Sequence, residues 1–176
     1  MHFVQAKHLL SAQNGINVYR GCTHGCIYCD SRSRCYQFSH DFEDVEVKIN
    51  APELLERELR RKRKRCMIGT GAMCDPYLHA EEKLELTRQC LKVIDRNEFG
   101  VSVLTKSARI LRDADLLDSI NRKAKTVVQM TLTTCEERMC RIVEPNVSTT
   151  KERFEVLMEM KKRGIPTMVW LCPILP

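Results

Sequence analysis

The sequence predicts an α/β fold in which five short parallel strands alternate with helices, and two observations support this class. Five β-rich runs are short and largely apolar, which is typical of parallel strands covered by helices on both faces. The segments between them repeat apolar residues at helical spacing. With right-handed crossovers, this order gives either an open doubly wound sheet or part of a (β/α) barrel. No internal repeat is evident, so we expect one domain over residues 1–176.

The five strands are predicted at residues 16–20, 66–70, 101–105, 126–133 and 166–171. Each run carries β-branched residues, which fit a pleated and buried surface. In both candidate architectures the chemistry gathers at the carboxyl ends of the strands. Because no covering helix follows the fifth strand in this sequence, we expect the domain to be incomplete at its C-terminus.

Four helices are predicted, at residues 51–64, 81–96, 108–121 and 150–163. Pro52 in the first turn favours the start of the first helix, and Gly164 favours the end of the fourth. The third is expected to break near Asp113. The fourth is expected to bury its apolar residues, which are Phe154, Leu157, Met158 and Met160.

The net charge of +6 arises from one basic run, residues 57–65, which holds seven basic residues and one acidic residue. The rest of the chain balances, with 22 basic and 22 acidic residues. Such a run can contact nucleic-acid phosphates, but cations also stabilise a helix C-terminus. The run precedes the second strand and therefore lies opposite the expected active site. We favour a solvated helix end, with a nucleic-acid-binding fragment as the alternative.

Neither a membrane partner nor export is indicated by the sequence. No stretch approaches the roughly 18 uncharged apolar residues of a membrane span, and the first residues lack the pattern of a signal peptide. We therefore expect a cytoplasmic protein with reduced thiols. Of its ten cysteines, seven are scattered and are expected to be small buried apolar residues: Cys35, Cys66, Cys74, Cys90, Cys135, Cys140 and Cys172.

The other three cysteines, Cys22, Cys26 and Cys29, follow the first strand with the spacing C-x3-C-x2-C. Three thiolates within eight residues can hold one side of an iron–sulfur cube and leave its fourth iron without a protein ligand. Two glycines, Gly21 and Gly25, allow the loop to turn tightly. The sequence thus predicts a metal centre at the end of the first strand.

A closed metal module is the alternative to an open cluster. In that case Cys35 or His24 would supply a fourth ligand to zinc or to an iron–sulfur centre. The module would then bind metal without catalysing a reaction.

The cysteine loop, YRGCTHGCIYCDSR, resembles the radical S-adenosylmethionine (SAM) enzymes. Four further segments occur in an order similar to the spore photoproduct lyase-like branch of that superfamily: GTGAMCDPY, TKSARILRDADLL, TLTTCEERMCRIVEP and KKRGIPTMVWLCPILP. The resemblance covers residues 15–176. It implies a partial (β/α) barrel of radical SAM type, with about five of six parallel strands present.

The resemblance also implies the chemistry. Cys22, Cys26 and Cys29 would hold a [4Fe–4S] cluster whose open iron binds SAM. Reduction would cleave SAM to a 5′-deoxyadenosyl radical that abstracts hydrogen from a substrate. A flavodoxin or ferredoxin is the expected electron donor, and nucleic acid is one candidate substrate.

Five residues are predicted from the resemblance to contact SAM, each with a structural alternative. Tyr28 would face the adenine, or simply pack over the cluster. Asp75 would accept from ribose hydroxyls, or start an Asp-Pro turn. Lys106 would pair with the carboxylate, or be solvated. Thr131 would face the cofactor, or serve as a β-branched strand residue. Glu144 would contact the ribose, or support its loop.

Cys74 is the candidate catalytic hydrogen donor. The lyases carry a donor cysteine in the loop after the second strand. Aligning their Asp-Pro with Asp75–Pro76 places Ala72 at that position, with Cys74 two residues later. A buried structural thiol is the alternative.

Overall fold

The computed structural model describes residues 1–174, and the last two residues of the predicted domain, Leu175 and Pro176, lie outside the described part. Eight strands are present: β1 His2–Val4, β2 Gly15–Ile16, β3 Tyr19–Arg20, β4 Glu46–Lys48, β5 Met67–Thr70, β6 Gly100–Thr105, β7 Thr126–Thr131 and β8 Thr167–Trp170. Six α-helices accompany them: α1 Ala51–Arg60, α2 Glu81–Leu84, α3 Leu86–Arg96, α4 Ala114–Lys123, α5 Glu137–Val143 and α6 Thr150–Lys162. Within residues 1–174, no helix has the length and apolar character needed to cross a bilayer.

A five-stranded sheet forms the centre of the fold, with the strand order β2-β5-β6-β7-β8 and every pair parallel. This confirms the predicted α/β class, with five parallel strands as expected. The central strands bury Ile68, Val101, Val103 and Val128 completely, as expected for strands covered on both faces. Strand β8 lies at the sheet edge, and all four of its residues are exposed.

The first predicted strand, residues 16–20, is wrong as a single element. The chain leaves the large sheet after Ile16, and Tyr19 pairs instead with Val47 in a small three-stranded sheet of order β1-β4-β3. The buried Tyr19 hydroxyl then reaches the Glu81 carboxylate. The short strands β1 and β4 were not predicted, because three-residue runs containing charged or exposed residues lack a clear period-2 pattern.

The second predicted helix, residues 81–96, is interrupted at Glu85, whose φ of 50° lies in the left-handed region. The buried Glu81 carboxylate causes a new helix start, because it accepts hydrogen bonds from the backbone N–H groups of Thr87 (3.0 Å) and Arg88 (3.3 Å). The break near Asp113 is confirmed: a 3-10 turn, Ala108–Asp113, precedes α4.

Two other helix predictions need correction. The first helix ends at Arg60 rather than Lys64, and α5 was not predicted. Helix α6 buries Arg153, Val156, Leu157 and Met160. Phe154 and Met158, both predicted to be buried, are instead exposed, since they lie off the stripe that faces the sheet.

Candidate active site

A cavity of about 430 Å³ lies at the carboxyl ends of the large-sheet strands. Its wall combines the cysteine loop, residues 22–31, with the ends of the central strands and their following loops, residues 71–75, 104–106 and 131. Trp170 of β8 completes one side. The volume falls within the range of about 300–1,000 Å³ typical of small-molecule sites, and its position is the one expected for this class of fold.

Cys22, Cys26 and Cys29 all line this cavity. The loop can approach the segment before β4 closely because Gly21 has a φ of 92°, and a Cβ there would lie 2.4 Å from the Phe42 carbonyl oxygen. The same carbonyl accepts a hydrogen bond of 3.0 Å from the Cys22 backbone N–H. Only glycine fits this position without displacing the loop.

The thiols of the loop differ in their ease of ionisation. Hydrogen bonding from the Cys74 thiol, with a further contribution from His24, lowers the pKa of Cys22 to about 5 despite its burial. Burial raises the pKa of Cys26 to about 11. Since a metal ligand must be a thiolate, Cys22 is prepared for ligation by its neighbours, whereas Cys26 requires a cation to ionise.

The spacing of the three sulfurs argues against one closed metal ion. In a tetrahedral zinc site with Zn–S bonds of about 2.3 Å, the sulfurs lie about 3.8 Å apart. Within residues 1–174, only one set of three His, Cys, Asp or Glu residues has its ligand atoms within 4.8 Å of one another, and this set contains no cysteine. The three sulfurs of the loop therefore do not all lie this close together. A cube that binds each thiolate through a different iron needs the wider spacing. The residues present therefore fit an iron–sulfur cluster.

His24, one candidate fourth ligand, is a buried residue of the cysteine loop. Its Nδ1 lies 3.6 Å from Oδ2 of Asp75. Burial lowers the pKa of His24, but the charges of Asp75 and Cys22 outweigh this, and the net shift is upward. Cys35, the other candidate, is exposed and does not line the cavity among the described residues. The structure thus places Cys35 away from the three cysteines, whereas His24 lines the cavity beside them.

Cys74 lines the cavity but directs its thiol to the cysteine loop. The thiol donates a hydrogen bond of 2.7 Å to the Gly21 carbonyl. Burial raises its pKa well above the usual range, so it stays protonated. This geometry favours the structural alternative, in which the thiol supports the turn at Gly21. A role as hydrogen donor remains a prediction.

The ring of Tyr28 lines the cavity, and its hydroxyl is held by residues outside the cavity. Its hydroxyl donates a hydrogen bond to Glu144 and lies 3.1 Å from Oγ1 of Thr133. Glu144 is fully buried and forms an ion pair of 2.6 Å with Arg153, which is also fully buried. Glu144 does not line the cavity. The structure therefore favours its loop-supporting alternative, since its carboxylate anchors Tyr28.

Asp75 lines the cavity, yet both of its carboxylate oxygens have protein partners. Oδ1 accepts hydrogen bonds from the Thr105 hydroxyl (2.7 Å) and the Tyr77 backbone N–H (2.9 Å), and Oδ2 accepts from the Lys106 backbone N–H (2.7 Å). These bonds join the ends of β5 and β6. The turn alternative is thus favoured, and little acceptor capacity remains for a ribose.

Lys106 and Thr131 also line the cavity. The Lys106 ammonium lies 5.8 Å from the centre of the Tyr28 ring, within the range of a cation–π contact. Thr131 pairs in register with Trp170, and its carbonyl accepts a hydrogen bond of 2.8 Å from Arg153. The cavity thus combines the three thiols of the cysteine loop with two further thiols, those of Cys74 and Cys172, and with an aromatic face and a cation.

Comparison with known protein families gives evidence that does not depend on the geometry of the cavity. The family model of the radical SAM superfamily matches residues 16–176. The chain belongs to the radical SAM superfamily.

Two curated relatives extend beyond the matched region. An uncharacterized protein of Methanocaldococcus jannaschii is 31% identical over 163 residues, covering 92% of this chain and 60% of that protein. An uncharacterized protein of Mycobacterium tuberculosis is 28% identical over 172 residues, covering 92% of this chain and 49% of that protein. This radical SAM chain therefore spans about half to three fifths of the length of these relatives.

Solved structures show the same fold. Spore photoproduct lyase complexed with dinucleoside spore photoproduct matches with a TM-score of 0.66 at 16% identity, covering 98% of this chain and 51% of the lyase chain. A double mutant of the lyase with bound AdoMet matches with a TM-score of 0.59 at 15% identity, covering 91% and 45%. This likeness confirms the predicted partial barrel of radical SAM type.

Arg153 is the site residue that the sequence analysis missed. It lies three, four and seven positions before Val156, Leu157 and Met160, on the buried stripe of α6. A charged residue on an apolar stripe indicates a buried partner. That spacing could have identified Arg153, but it could not have identified Glu144 as the partner.

The basic run lies at the opposite end of the large sheet from the cavity. It joins the end of α1 to the amino end of β5, whereas the cavity is built from the carboxyl ends. Part of its charge is already paired, since Arg60 lies 2.7 Å from Glu56, and the Lys62 ammonium donates a hydrogen bond to the neutral side chain of Asn14. In this radical SAM fold, the placement favours a solvated helix end.

Proposed function

We propose that the chain is a radical SAM enzyme that binds a [4Fe–4S] cluster through Cys22, Cys26 and Cys29 and cleaves SAM reductively. The observation that carries the proposal is the cavity in which the three thiols of the C-x3-C-x2-C loop lie together with Tyr28 and Lys106. When bound and reduced, the cluster supplies the electron that converts SAM to a 5′-deoxyadenosyl radical.

The protein residues bind and orient the cofactor. The Tyr28 ring supplies an aromatic face for adenine, and its hydroxyl bond to Glu144 fixes the ring plane. The Lys106 ammonium supplies a cation for the carboxylate. Thr131 adds a wall at the end of β7. Asp75 instead supports the structure of the site, because its carboxylate joins the loop after β5 to the end of β6, where Lys106 lies.

The electron donor and the substrate complete the proposal. A flavodoxin or ferredoxin is the proposed donor. Nucleic acid is the proposed substrate class, supported by the fold likeness to a lyase solved with a dinucleoside photoproduct. The basic run faces away from the cavity, so nucleic acid would enter at the carboxyl ends of the strands instead.

Anaerobic reconstitution of the 176-residue chain tests the function. We expect about four irons per chain, an electron paramagnetic resonance spectrum that changes on addition of SAM, and 5′-deoxyadenosine after reduction with dithionite. A cluster that forms but neither responds to SAM nor yields 5′-deoxyadenosine would contradict the proposal. The same assay with and without a dinucleoside photoproduct tests the substrate class.

Replacing Tyr28 tests the adenine contact. Tyr28→Ala removes the aromatic face, and we expect SAM to bind about tenfold more weakly, since stacking of a base on an aromatic side chain contributes about 1–3 kcal/mol. Tyr28→Phe keeps the ring and loses only the hydroxyl, with its contacts to Glu144 and Thr133, so its affinity is expected to change by about threefold or less. Equilibrium dialysis against cluster-loaded protein measures both. Equal losses in the two variants would contradict a stacking role.

A further inference from the structure

A second cluster of potential metal ligands lies outside the cavity, beside the small sheet. It consists of His2 on β1 together with His40 and Asp44 in the segment before β4. One ligand atom from each residue lies within 4.8 Å of the other two. None of the three lines the cavity, and cofactor binding at the cysteine loop gives them no role.

The hydrogen bonding of His40 is the kind that is typical of a histidine that binds a metal ion. Its Nδ1 lies 2.9 Å from the Asp41 carbonyl oxygen. Because a carbonyl can only accept, Nδ1 carries the proton, and Nε2 of the neutral ring presents a lone pair. This Nε2 is buried and has no hydrogen-bond partner among residues 1–174. Metal-binding histidines typically donate their second N–H to a carbonyl or carboxylate in this way.

His2 and Asp44 supply the other two donor atoms at suitable spacing. His2 Nδ1 lies 2.9 Å from Asp44 Oδ2. Two ligands of a tetrahedral ion with bonds of about 2.0 Å lie about 3.3 Å apart, so a small adjustment would admit an ion. The rings of His2 and His40 meet edge to face, with centres 4.8 Å apart. The other oxygen of Asp44 lies 2.5 Å from the Met1 amine.

Glu46 adds negative charge to the same place. Its Oε2 lies 4.0 Å from His40 Nε2, and both side chains are more than four-fifths buried. A carboxylate facing an imidazole lone pair is unfavourable unless a cation or proton lies between them. A metal ion would supply that charge.

We propose that His2, His40 and Asp44 form a second metal site that binds one divalent transition ion, with zinc as the best match. Imidazole and carboxylate ligands suit zinc among the first-row metals. The ion would join β1 to the segment that ends at β4. Because the Phe42 carbonyl in that segment accepts from the Cys22 N–H, the site would also brace the cysteine loop.

Element-specific spectroscopy distinguishes this site from the cysteines. We use protein with its iron–sulfur cluster intact, an untagged N-terminus and no polyhistidine tag, loaded with zinc and gel-filtered. We expect one zinc per chain by mass spectrometry. Zinc-edge X-ray absorption should show nitrogen and oxygen ligands at about 2.0–2.1 Å and no sulfur at about 2.3 Å. Sulfur ligation, or no retained zinc, would overturn the proposal without any need for a variant.

Substitutions assign the ligands. His40→Gln and His2→Gln should each weaken zinc binding at least about tenfold by calorimetric titration, since even outer-shell changes at metal sites cost about 10–100-fold. His8→Gln is the matched control, because His8 lies 3.5 Å from Glu58 but is exposed and does not belong to a three-residue ligand set within residues 1–174. Affinity unchanged in His40→Gln, or equal losses in all three variants, would contradict the assignment.

Discussion

Replacement of Cys26 by alanine is expected to abolish SAM cleavage. Cys26 lies at the centre of the C-x3-C-x2-C motif and lines the cavity. Loss of one of three thiolates leaves a second iron without a protein ligand. Changes at outer-shell residues already cost about 10–100-fold, so removing a ligand should lower 5′-deoxyadenosine formation by more than about 100-fold. Bound iron and product, measured after identical anaerobic reconstitution, provide the two readouts.

The control for this prediction is Cys35→Ala. Cys35 is the first cysteine after the motif, and it is exposed and outside the cavity. If three cysteines hold an open cluster, this variant should retain both iron and product. Iron lost equally from Cys26→Ala and Cys35→Ala would instead support the closed four-ligand module. Retention of cleavage by Cys26→Ala would contradict the assignment of the motif.

The sequence predicted the parts of the site that depend on local spacing. Three cysteines within eight residues must converge wherever the loop lies, and the alternation of strands and helices places that loop at the carboxyl ends. Tyr28, Lys106 and Thr131 were predicted from the family resemblance, and each lies in the cysteine loop or at a strand end that this alternation brings to the same place. These are the predictions that the cavity brings together.

The remaining features depend on contacts between distant residues. Tyr28 and Glu144 are 116 positions apart, and no local sequence pattern predicts their hydrogen bond. The helix break at Glu85 follows from a side-chain cap by Glu81 that overrides helical periodicity. The expectation of seven buried scattered cysteines fails at Cys35, Cys135 and Cys172, which are exposed. A small residue carries too little periodic signal to fix its burial.

The cavity wall therefore has two layers. An inner layer, predicted from the motif and from the family resemblance, lines the cavity. An outer layer of buried polar groups, found only in the structure, holds the inner layer in place: Cys74 supports the turn at Gly21, and Glu144 anchors Tyr28. Glu144 in turn depends on Arg153 for its charge balance. Arg153 therefore contributes both to the stability of the fold and, through Glu144, to the position of Tyr28.

Replacement of Arg153 by methionine is expected to destabilise the protein by about 3–5 kcal/mol at neutral pH, the usual cost of removing one partner of a buried ion pair. Both side chains are fully buried, so the Glu144 charge would remain without its cation. The Arg153 bond to the Thr131 carbonyl would be lost as well. Urea denaturation of the cluster-free protein under reducing conditions, followed by circular dichroism, measures the change.

The matched control lies at the end of the same helix. Arg163 pairs with Glu159 at 2.8 Å, but both side chains are at least one-third exposed. Arg163→Met should therefore cost only about 0–1 kcal/mol. The double variant Arg153→Met with Glu144→Gln should recover about 1–3 kcal/mol relative to Arg153→Met alone, because the unpaired charge is gone. Equal costs for Arg153→Met and Arg163→Met would contradict a buried pair.

The pH dependence of the same variant gives an independent test. Burial raises the pKa of Glu144, but the charge of Arg153, together with hydrogen bonds from Tyr28, Arg153 and Thr133, outweighs it and the pKa is lowered. In the wild type this contribution to stability is present above the unfolded-state pKa and is lost as the pH falls through the folded-state value. In Arg153→Met, burial should dominate and raise the pKa, so that Glu144 takes up a proton on folding. The stability deficit of Arg153→Met should therefore shrink between pH 7.5 and pH 5.5, whereas a deficit caused by lost packing alone would be the same at both.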